Sequence, residues 1–281
     1  MENPAQKCYY SKRGDRVSKS GGDDFKRWAD YMQFKSLTEA CLKFELPITI
    51  ISILVMFFSS VLVILSKQFI LTALVIIVCL WSACFLLAKL GFIGKREKYL
   101  KQFGKAAYRV AAFRFLLPYA ALWWSAASMP LWVPGERILR VIPFSIFGAI
   151  FLVVLLLLTL KIQAVFGMDR LSFAYSYFPQ EARLVKSQIF EFVRHPVYTG
   201  WIYFGIGFFL IRGSLTSLVS VIVNIIAITI LAREEEKDIM KYFKEDYLAY
   251  KNRVPRFFSK RPIAFLKFLL KQSMRISEDK I

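Results

Sequence analysis

The 281-residue chain is 57% hydrophobic and 16% aromatic, which is too apolar for a soluble domain of this length and is typical of an integral membrane protein. Its formal net charge of +19 does not indicate nucleic-acid binding, because Lys and Arg cluster in the tails and connectors, with no zinc pattern or aromatic RNA-binding motif beside them. The four cysteines lack metal-ligand or redox spacing, so neither a metal site nor a disulfide framework is predicted.

Residues 1–44 are polar and of mixed charge, and they predict a cytoplasmic N-terminal tail. Within this tail, Phe25, Trp28, Tyr31, Met32 and Phe34 lie near helical spacing. This spacing favours a helix on the membrane surface whose aromatic side chains dip into the lipid. An ordinary solvated linker is the alternative interpretation.

Long apolar runs follow between residues 45 and 160. A bilayer with ~30 Å of hydrocarbon requires about 20 apolar residues in a helix, so these runs predict four transmembrane helices. A turn of a few residues joins the first two in a helical hairpin, and Pro118 predicts a kink in the third. The predicted spans are 46–65, 69–87, 111–132 and 138–160.

Residues 161–257 predict a connector, a second helical hairpin and an amphipathic helix. The hairpin arms are 197–211 and 214–232, and the first arm reaches only ~22 Å, which favours a site recessed into the membrane. The basic segment 258–281 is expected to be a further surface helix or a frayed tail. The predicted fold is an all-α integral membrane protein of about six transmembrane helices with amphipathic surface helices.

Charge bias predicts the orientation, because connectors rich in Lys and Arg remain in the cytoplasm. The N-terminal tail, the connectors 95–109 and 161–196, and the C-terminal tail are all basic, whereas the intervening connectors carry little net charge. The alternation is consistent with both termini in the cytoplasm.

The histidine His195, the only one in the chain, lies where the connector meets the second hairpin. Pro196 favours a helix start directly after it, which places His195 at a helix cap beside free backbone donors. The hairpin returns the acidic triplet 234–236 to the same end, and a carboxylate beside this histidine suits a ligand with ammonium and hydroxyl groups. The alternatives are an interfacial anchor for Arg194 and His195 and an exposed acidic junction paired with Arg233 and Lys237.

The order of these motifs resembles the isoprenylcysteine carboxyl methyltransferase and phospholipid methyltransferase superfamily. The likeness combines Arg-His-Pro-x-Tyr-x-Gly from Arg194, a Glu-Glu pair, and a closing Tyr-x-x-Tyr-x-x-x-Val-Pro, and it covers roughly 184–257. The resemblance implies S-adenosylmethionine as cofactor and a lipid-like acceptor that enters from the membrane. The cofactor-binding residues that it implies are Leu184, Val185, Phe190, His195, Pro196, Tyr198, Gly205, Gly207 and Glu235.

Candidate catalytic residues are Arg194, Arg233 and Glu234. Arg233 lies two residues from the position, Leu231, of a substrate-contacting arginine in the isoprenylcysteine enzymes. Glu234, or alternatively Glu236, could take a proton from an amine acceptor. The sequence departs from the family pattern where the common Phe-Gly pair is Phe243-Lys244.

The expected activity is therefore methyl transfer from S-adenosylmethionine to a lipophilic acceptor. The favoured acceptor is the carboxylate of an isoprenylcysteine-type substrate. A phospholipid or amine N-methyltransferase and a small-thiol S-methyltransferase are the alternative enzymes. A membrane scaffold or lipid-binding protein that retains the fold is the non-enzymatic alternative.

Overall fold

The computed structural model describes residues 29–139, 141–165, 177 and 184–271. The first part of the predicted N-terminal tail, about half of the connector 161–196 and the end of the basic C-terminal tail lie outside the described residues.

The described part of the chain is built from helices and contains no strand, apart from one isolated antiparallel bridge between Arg137 and Ser214. This confirms the all-α membrane fold class. In the described ranges, five helical stretches are long and apolar enough to cross a membrane: Thr38–Ser66, Phe69–Ile93, Arg96–Ala127, Pro143–Ile162 and Leu215–Lys241. The expected count of about six is not confirmed, because the remaining hairpin arm, Pro196–Arg212, has 17 residues and spans only ~25 Å.

Eleven α-helices, numbered in chain order, carry this architecture within the described ranges, and short π or 3-10 turns extend several of them. They are α1 (Leu37–Ala40), α2 (Leu46–Ser66), α3 (Phe69–Leu86), α4 (Arg96–Phe103), α5 (Ala107–Ala111), α6 (Leu117–Ala127), α7 (Met129–Trp132), α8 (Val141–Val165), α9 (Pro196–Arg212), α10 (Leu215–Arg253) and α11 (Pro262–Leu270).

The first hairpin, α2 and α3, turns at Lys67, whose φ of 56° is left-handed. Helix α6 packs against both arms, and the Ser52 hydroxyl donates to the Ala121 carbonyl at 3.1 Å. Such a bond ties two lipid-exposed helices together where apolar contact alone gives little driving force. The described part of the N-terminal tail joins this bundle, since Met32 and Phe34 are buried in the protein core and not spread over the membrane surface.

The basic connector 95–109 is helical and continues directly into the third span. A π-helix, Ala112–Leu116, separates it from α6, and Pro118 stands in the first turn of α6. Proline offers no backbone N–H to the preceding turn, so a wider turn before Pro118 accommodates the missing hydrogen bond. The π-helix is the irregularity observed before Pro118, and the kink predicted at this residue stays a prediction.

The second hairpin packs closely on α8. Gly213, with φ of 61°, ends α9, and the Ser214 hydroxyl accepts from the Ser217 N–H to begin α10. Gly148 of α8 faces Gly207 of α9 so closely that a Cβ on Gly148 would lie 2.7 Å from the Gly207 carbonyl oxygen. The small residues therefore set the distance between the two helices.

Buried polar contacts join the two halves of the molecule. The Trp81 indole of α3 donates to the Asn224 side chain of α10 at 2.8 Å, and the Asn224 amide donates to the Ala127 carbonyl at 3.1 Å. Helix α10 then continues far past the apolar part, with one non-helical residue, Lys244 (φ 23°, ψ −106°). This is the position at which the family pattern has glycine.

Replacing Gly148 by alanine is expected to destabilise the protein, because its Cβ would meet backbone and the helices would have to separate. The expected loss is about 1–3 kcal/mol, as for other overpacked sites, measured by thermal unfolding in detergent. Gly205→Ala is the matched control, since its Cβ would make ordinary contacts at 3.5 Å or more. Equal unfolding temperatures for the two variants would contradict this account of the packing.

Candidate functional site

Helix α9 begins at Pro196, as the sequence predicts, with His195 at its N-cap. The two residues before Pro196 pair with the segment that follows α10. The Arg194 N–H donates to the Pro255 carbonyl at 2.9 Å, and the His195 N–H donates to the Arg256 carbonyl at 3.1 Å. These backbone bonds fix both segments across the end of the hairpin.

A buried carboxylate, Glu236, lies at the centre of this end. It accepts from the Arg194 guanidinium at 3.1 and 2.8 Å, from the Arg256 guanidinium at 3.0 and 2.8 Å, and lies 3.1 Å from His195 Nε2. Lys251 Nζ is 3.8 Å away. Glu236 is only 2% exposed, and a carboxylate so desolvated requires such cationic partners. We call Arg194, His195, Glu236 and Arg256 the Glu236 cluster.

The Arg194 side chain is fully engaged in this cluster. Its remaining Nη1 donates to the carbonyls of Lys251 and Val254, and its side chain is 7% exposed. On the other side, hydrogen bonds to Glu236 raise the pKa of Arg256 above its usual value. Arg194, predicted as a catalytic residue, is thus placed as a structural tie between the loop before α9, α10 and the segment after α10.

The adjacent carboxylate, Glu235, is placed differently. Its Oε2 lies 3.5 Å from His195 Nδ1, and its side chain is 26% exposed. The two nitrogens of the His195 ring therefore face two carboxylates, while Tyr198 stacks on the ring with centroids 5.4 Å apart. His195 orients Glu235 and leaves its carboxylate accessible to a ligand.

Beside these residues, the hydroxyl of Tyr247 is buried and has no hydrogen-bond partner in the part of the chain that the structure describes. Its neighbour Tyr250 differs, since that hydroxyl donates to the Phe190 carbonyl at 2.8 Å. Burial is the main cause that raises the pKa of Tyr247, and the charges of Glu236 and Glu235 add to it. A neutral, unsatisfied hydroxyl costs free energy in an apolar environment, and a polar ligand would satisfy it.

Glu234 points away from the Glu236 cluster. Its carboxylate lies 2.8 Å from Lys89 Nζ and 2.6 Å from Lys237 Nζ, at 27% exposure. The link to Lys89 ties α10 to the π-helix Leu87–Ile93 at the end of α3. Arg233 is exposed. The structure therefore does not bring these two candidate catalytic residues to His195.

The predicted cofactor-binding residues fall into two groups. Leu184, Val185 and Phe190 pack with Tyr247 and Tyr250 in one apolar cluster, next to the Glu236 cluster. Pro196 and Tyr198 belong to the first turn of α9. Gly205 and Gly207 lie on the same helix 10 and 12 residues after His195, about 15–18 Å further along it. The two glycines pack against neighbouring helices.

Comparison with known families gives a match to one part of the chain. Residues 141–241 match the isoprenylcysteine carboxyl methyltransferase (ICMT) family. The resemblance found in the motifs is confirmed, and the match covers about a third of the chain. This ICMT segment contains α8, α9, most of α10, Arg194, His195 and the whole acidic triplet, whereas Tyr247 and Arg256 lie beyond it. No curated protein and no solved structure matches the chain.

Three contributors to the candidate site were missing from the sequence prediction of site residues: Glu236, Tyr247 and Arg256. Glu236 was recognised only as a possible proton acceptor. Arg256 could have been predicted from the sequence. It follows the Val254-Pro255 pair that ends the long helix, and the three carboxylates at this end of the hairpin require cationic partners.

Glu236→Gln is expected to lower the stability of the protein strongly, since it leaves the buried Arg194 side chain and the partly buried Arg256 side chain without a counter-charge. Removing one member of a buried ion pair costs about 3–5 kcal/mol, and thermal unfolding in detergent measures it. Glu234→Gln is the matched control, because its lysine pairs are solvent-accessible and are worth less than about 1 kcal/mol. Similar unfolding temperatures for the two variants would show that Glu236 is not the central tie.

The protonation of His195 predicts a pH dependence. Burial lowers the pKa of His195, but hydrogen bonds to Glu235 and Glu236 and their charges outweigh it, so the pKa lies above its usual value of 6.5. The positive Arg194 and Arg256 face Glu236 as well. Because the folded-state pKa is raised, the stabilisation by the imidazolium is complete below about pH 6.5 and is lost as the pH rises through the folded-state pKa.

The unfolding temperature of the wild type in detergent is therefore expected to fall more steeply above about pH 6.5 than that of His195→Gln. The glutamine side chain keeps a polar group at this position without titrating. Parallel pH profiles of the two proteins would argue against a charged His195.

Proposed function

We propose that the protein is an S-adenosylmethionine-dependent methyltransferase that acts on a lipophilic acceptor bearing a carboxylate, of the isoprenylcysteine type. The ICMT match and the membrane-spanning helices support a membrane methyltransferase. The observation that carries the finer proposal is the pairing of one accessible, oriented carboxylate, Glu235, with the unsatisfied hydroxyl of Tyr247.

The chemistry of these groups fits the cofactor. S-adenosylmethionine presents an ammonium and ribose hydroxyls, for which Glu235 is a suitable acceptor, and oxygens and ring nitrogens to which the Tyr247 hydroxyl can donate. Leu184, Val185 and Phe190 would provide apolar contacts for the remaining surface. When bound, the cofactor would supply a methyl group on a sulfonium.

Methyl transfer from a sulfonium is a displacement whose main requirements are alignment and controlled desolvation. In this protein, the Glu236 cluster holds the start of α9 rigid, His195 orients Glu235, and Phe257 and Tyr198 border the His195 ring. The chain residues thus bind, orient and exclude water. A carboxylate acceptor needs no general base.

The charges favour a carboxylate acceptor over an amine. Glu236 is saturated by cations and Glu234 is paired with two lysines, so neither is suited to take a proton from an ammonium group. The cations Arg194, Arg256, Lys251 and His195 outnumber the two carboxylates Glu235 and Glu236, and this positive excess attracts an anionic acceptor. The site would open on the cytoplasmic side, where the positive-inside rule also places both termini.

Glu235→Gln is expected to weaken binding of S-adenosylmethionine to the purified protein in detergent by roughly ten- to a hundredfold, the range for a hydrogen bond to a charged group. Tyr247→Phe is expected to weaken it by a smaller factor. Calorimetry measures both affinities, and Glu234→Gln, whose side chain points away from the site, serves as control. Unchanged binding in Glu235→Gln together with His195→Ala would refute the proposed site.

The acceptor is tested separately by incubating membranes that contain the protein with methyl-labelled cofactor. Label entering a prenylcysteine analogue as a base-labile ester supports the proposal. Label in phospholipid or in a volatile thioether identifies an N- or S-methyltransferase instead. Absence of any cofactor binding in the intact protein would favour a membrane scaffold.

A further inference from the structure

An open apolar groove of about 400 Å³ lies between α8 and α11. Exposed side chains of α8 form its floor, and Leu266 and Leu270 of α11 border it on the other side. The volume lies within the ~300–1,000 Å³ of small-molecule sites. The lining residues on α8 are Ile146, Ala149, Ile150, Val153, Val154 and Leu157.

The groove is separate from the candidate methyltransferase site. Gly148, Leu152 and Leu155 of α8 face α9, whereas Ile146, Ile150, Val153 and Leu157 line the groove. Residues 148, 152 and 155 lie on one helical face, and 146, 150, 153 and 157 lie on another. The groove therefore lies on the lipid side of α8.

Three lysines lie close in sequence to residues that line one end of the groove, Leu157 of α8 and Leu266 and Leu270 of α11. Lys161 follows Leu157 by one helical turn, and its ammonium donates to the Lys271 carbonyl and lies over the Phe268 ring. Lys267 and Lys271 are exposed and are spaced by one turn. Neither α8 nor the segment 251–271 contains an Asp or Glu residue, so the positive charge at this end is not neutralised by these elements.

We infer that this groove binds an anionic glycerophospholipid, with an acyl chain along α8 and the headgroup phosphate against Lys161, Lys267 and Lys271. The ligand is an amphiphile because the surface itself is divided into an apolar groove and a cationic end. Charge complementarity selects an anionic over a zwitterionic headgroup, since each lysine near a membrane surface contributes attraction to acidic lipid. The inference does not depend on the methyltransferase proposal.

Helix α11 connects this lipid site to the Glu236 cluster. Phe265 and Leu269, on its buried face, pack in the same apolar cluster as Tyr247 and Tyr250, while Leu266 and Leu270 face the groove. A bound lipid would therefore hold α11 against the wall that carries Tyr247.

The test is native mass spectrometry of the full chain released from detergent, titrated with phosphatidylserine or with phosphatidylcholine. The wild type is expected to retain phosphatidylserine in preference to phosphatidylcholine. Lys267→Gln together with Lys271→Gln is expected to reduce that affinity by about fivefold or more for each lysine, without affecting the carbonyl that Lys161 binds. Lys101→Gln with Lys105→Gln removes two exposed lysines from another basic connector and is the matched control.

A groove variant tests the apolar part. Ile150→Trp fills the groove from the lipid-exposed face of α8 and is expected to reduce retention of both lipids while the unfolding temperature stays near that of the wild type. Equal preference for the two lipids in the wild type, or an equal loss in the control pair, would overturn the inference. So would a protein dimer that Ile150→Trp dissociates, which would assign the groove to a second copy of the chain.

Discussion

The contact on which the functional end of the molecule depends is the burial of the Glu236 carboxylate among Arg194, His195 and Arg256. A desolvated charge of this kind is stable only when every partner is in place. The partners come from the loop before α9 and the segment after α10, while Glu236 itself comes from α10. One carboxylate thus closes the end of the hairpin and places the first turn of α9 against Phe257, whose carbonyl accepts from Thr199 at 2.9 Å.

Saturation of Glu236 has a consequence for its neighbours. Because consecutive helical residues are rotated by about 100°, the three glutamates point in different directions, and only Glu236 contacts Arg194 and Arg256. Glu234 points instead to Lys89 at the end of α3. Glu235 lies between these two directions, within reach of His195 but partly exposed. The three glutamates therefore have different roles. Glu236 binds the two arginines, Glu234 ties α10 to the N-terminal bundle, and Glu235 is left for a ligand.

The sequence was sufficient to predict the hairpin, the helix start at Pro196 and the convergence of His195 with the acidic triplet, because these follow from run lengths, proline stereochemistry and antiparallel return. It was not sufficient to choose among the three glutamates, since that choice is made by packing of α10. Nor did it predict the helical connector 95–109, whose charges hid its continuity with the third span. The family pattern was informative at position 244, where it has glycine. Lys244 stands there in this chain and has a positive φ, the backbone conformation that favours glycine.

The unequal lengths of the two hairpin arms give the proposed reaction its geometry. Helix α9 begins at Pro196, level with Glu236, whereas α10 continues to Arg253. The longer arm carries Tyr247 above the start of the shorter one, so a polar cofactor can lie over the end of α9 beside Glu235. A lipophilic acceptor can approach along the side of the bundle without leaving the membrane. The pairing of Glu236 with Arg194, His195 and Arg256 offsets the cost of burying this carboxylate at the end of the hairpin.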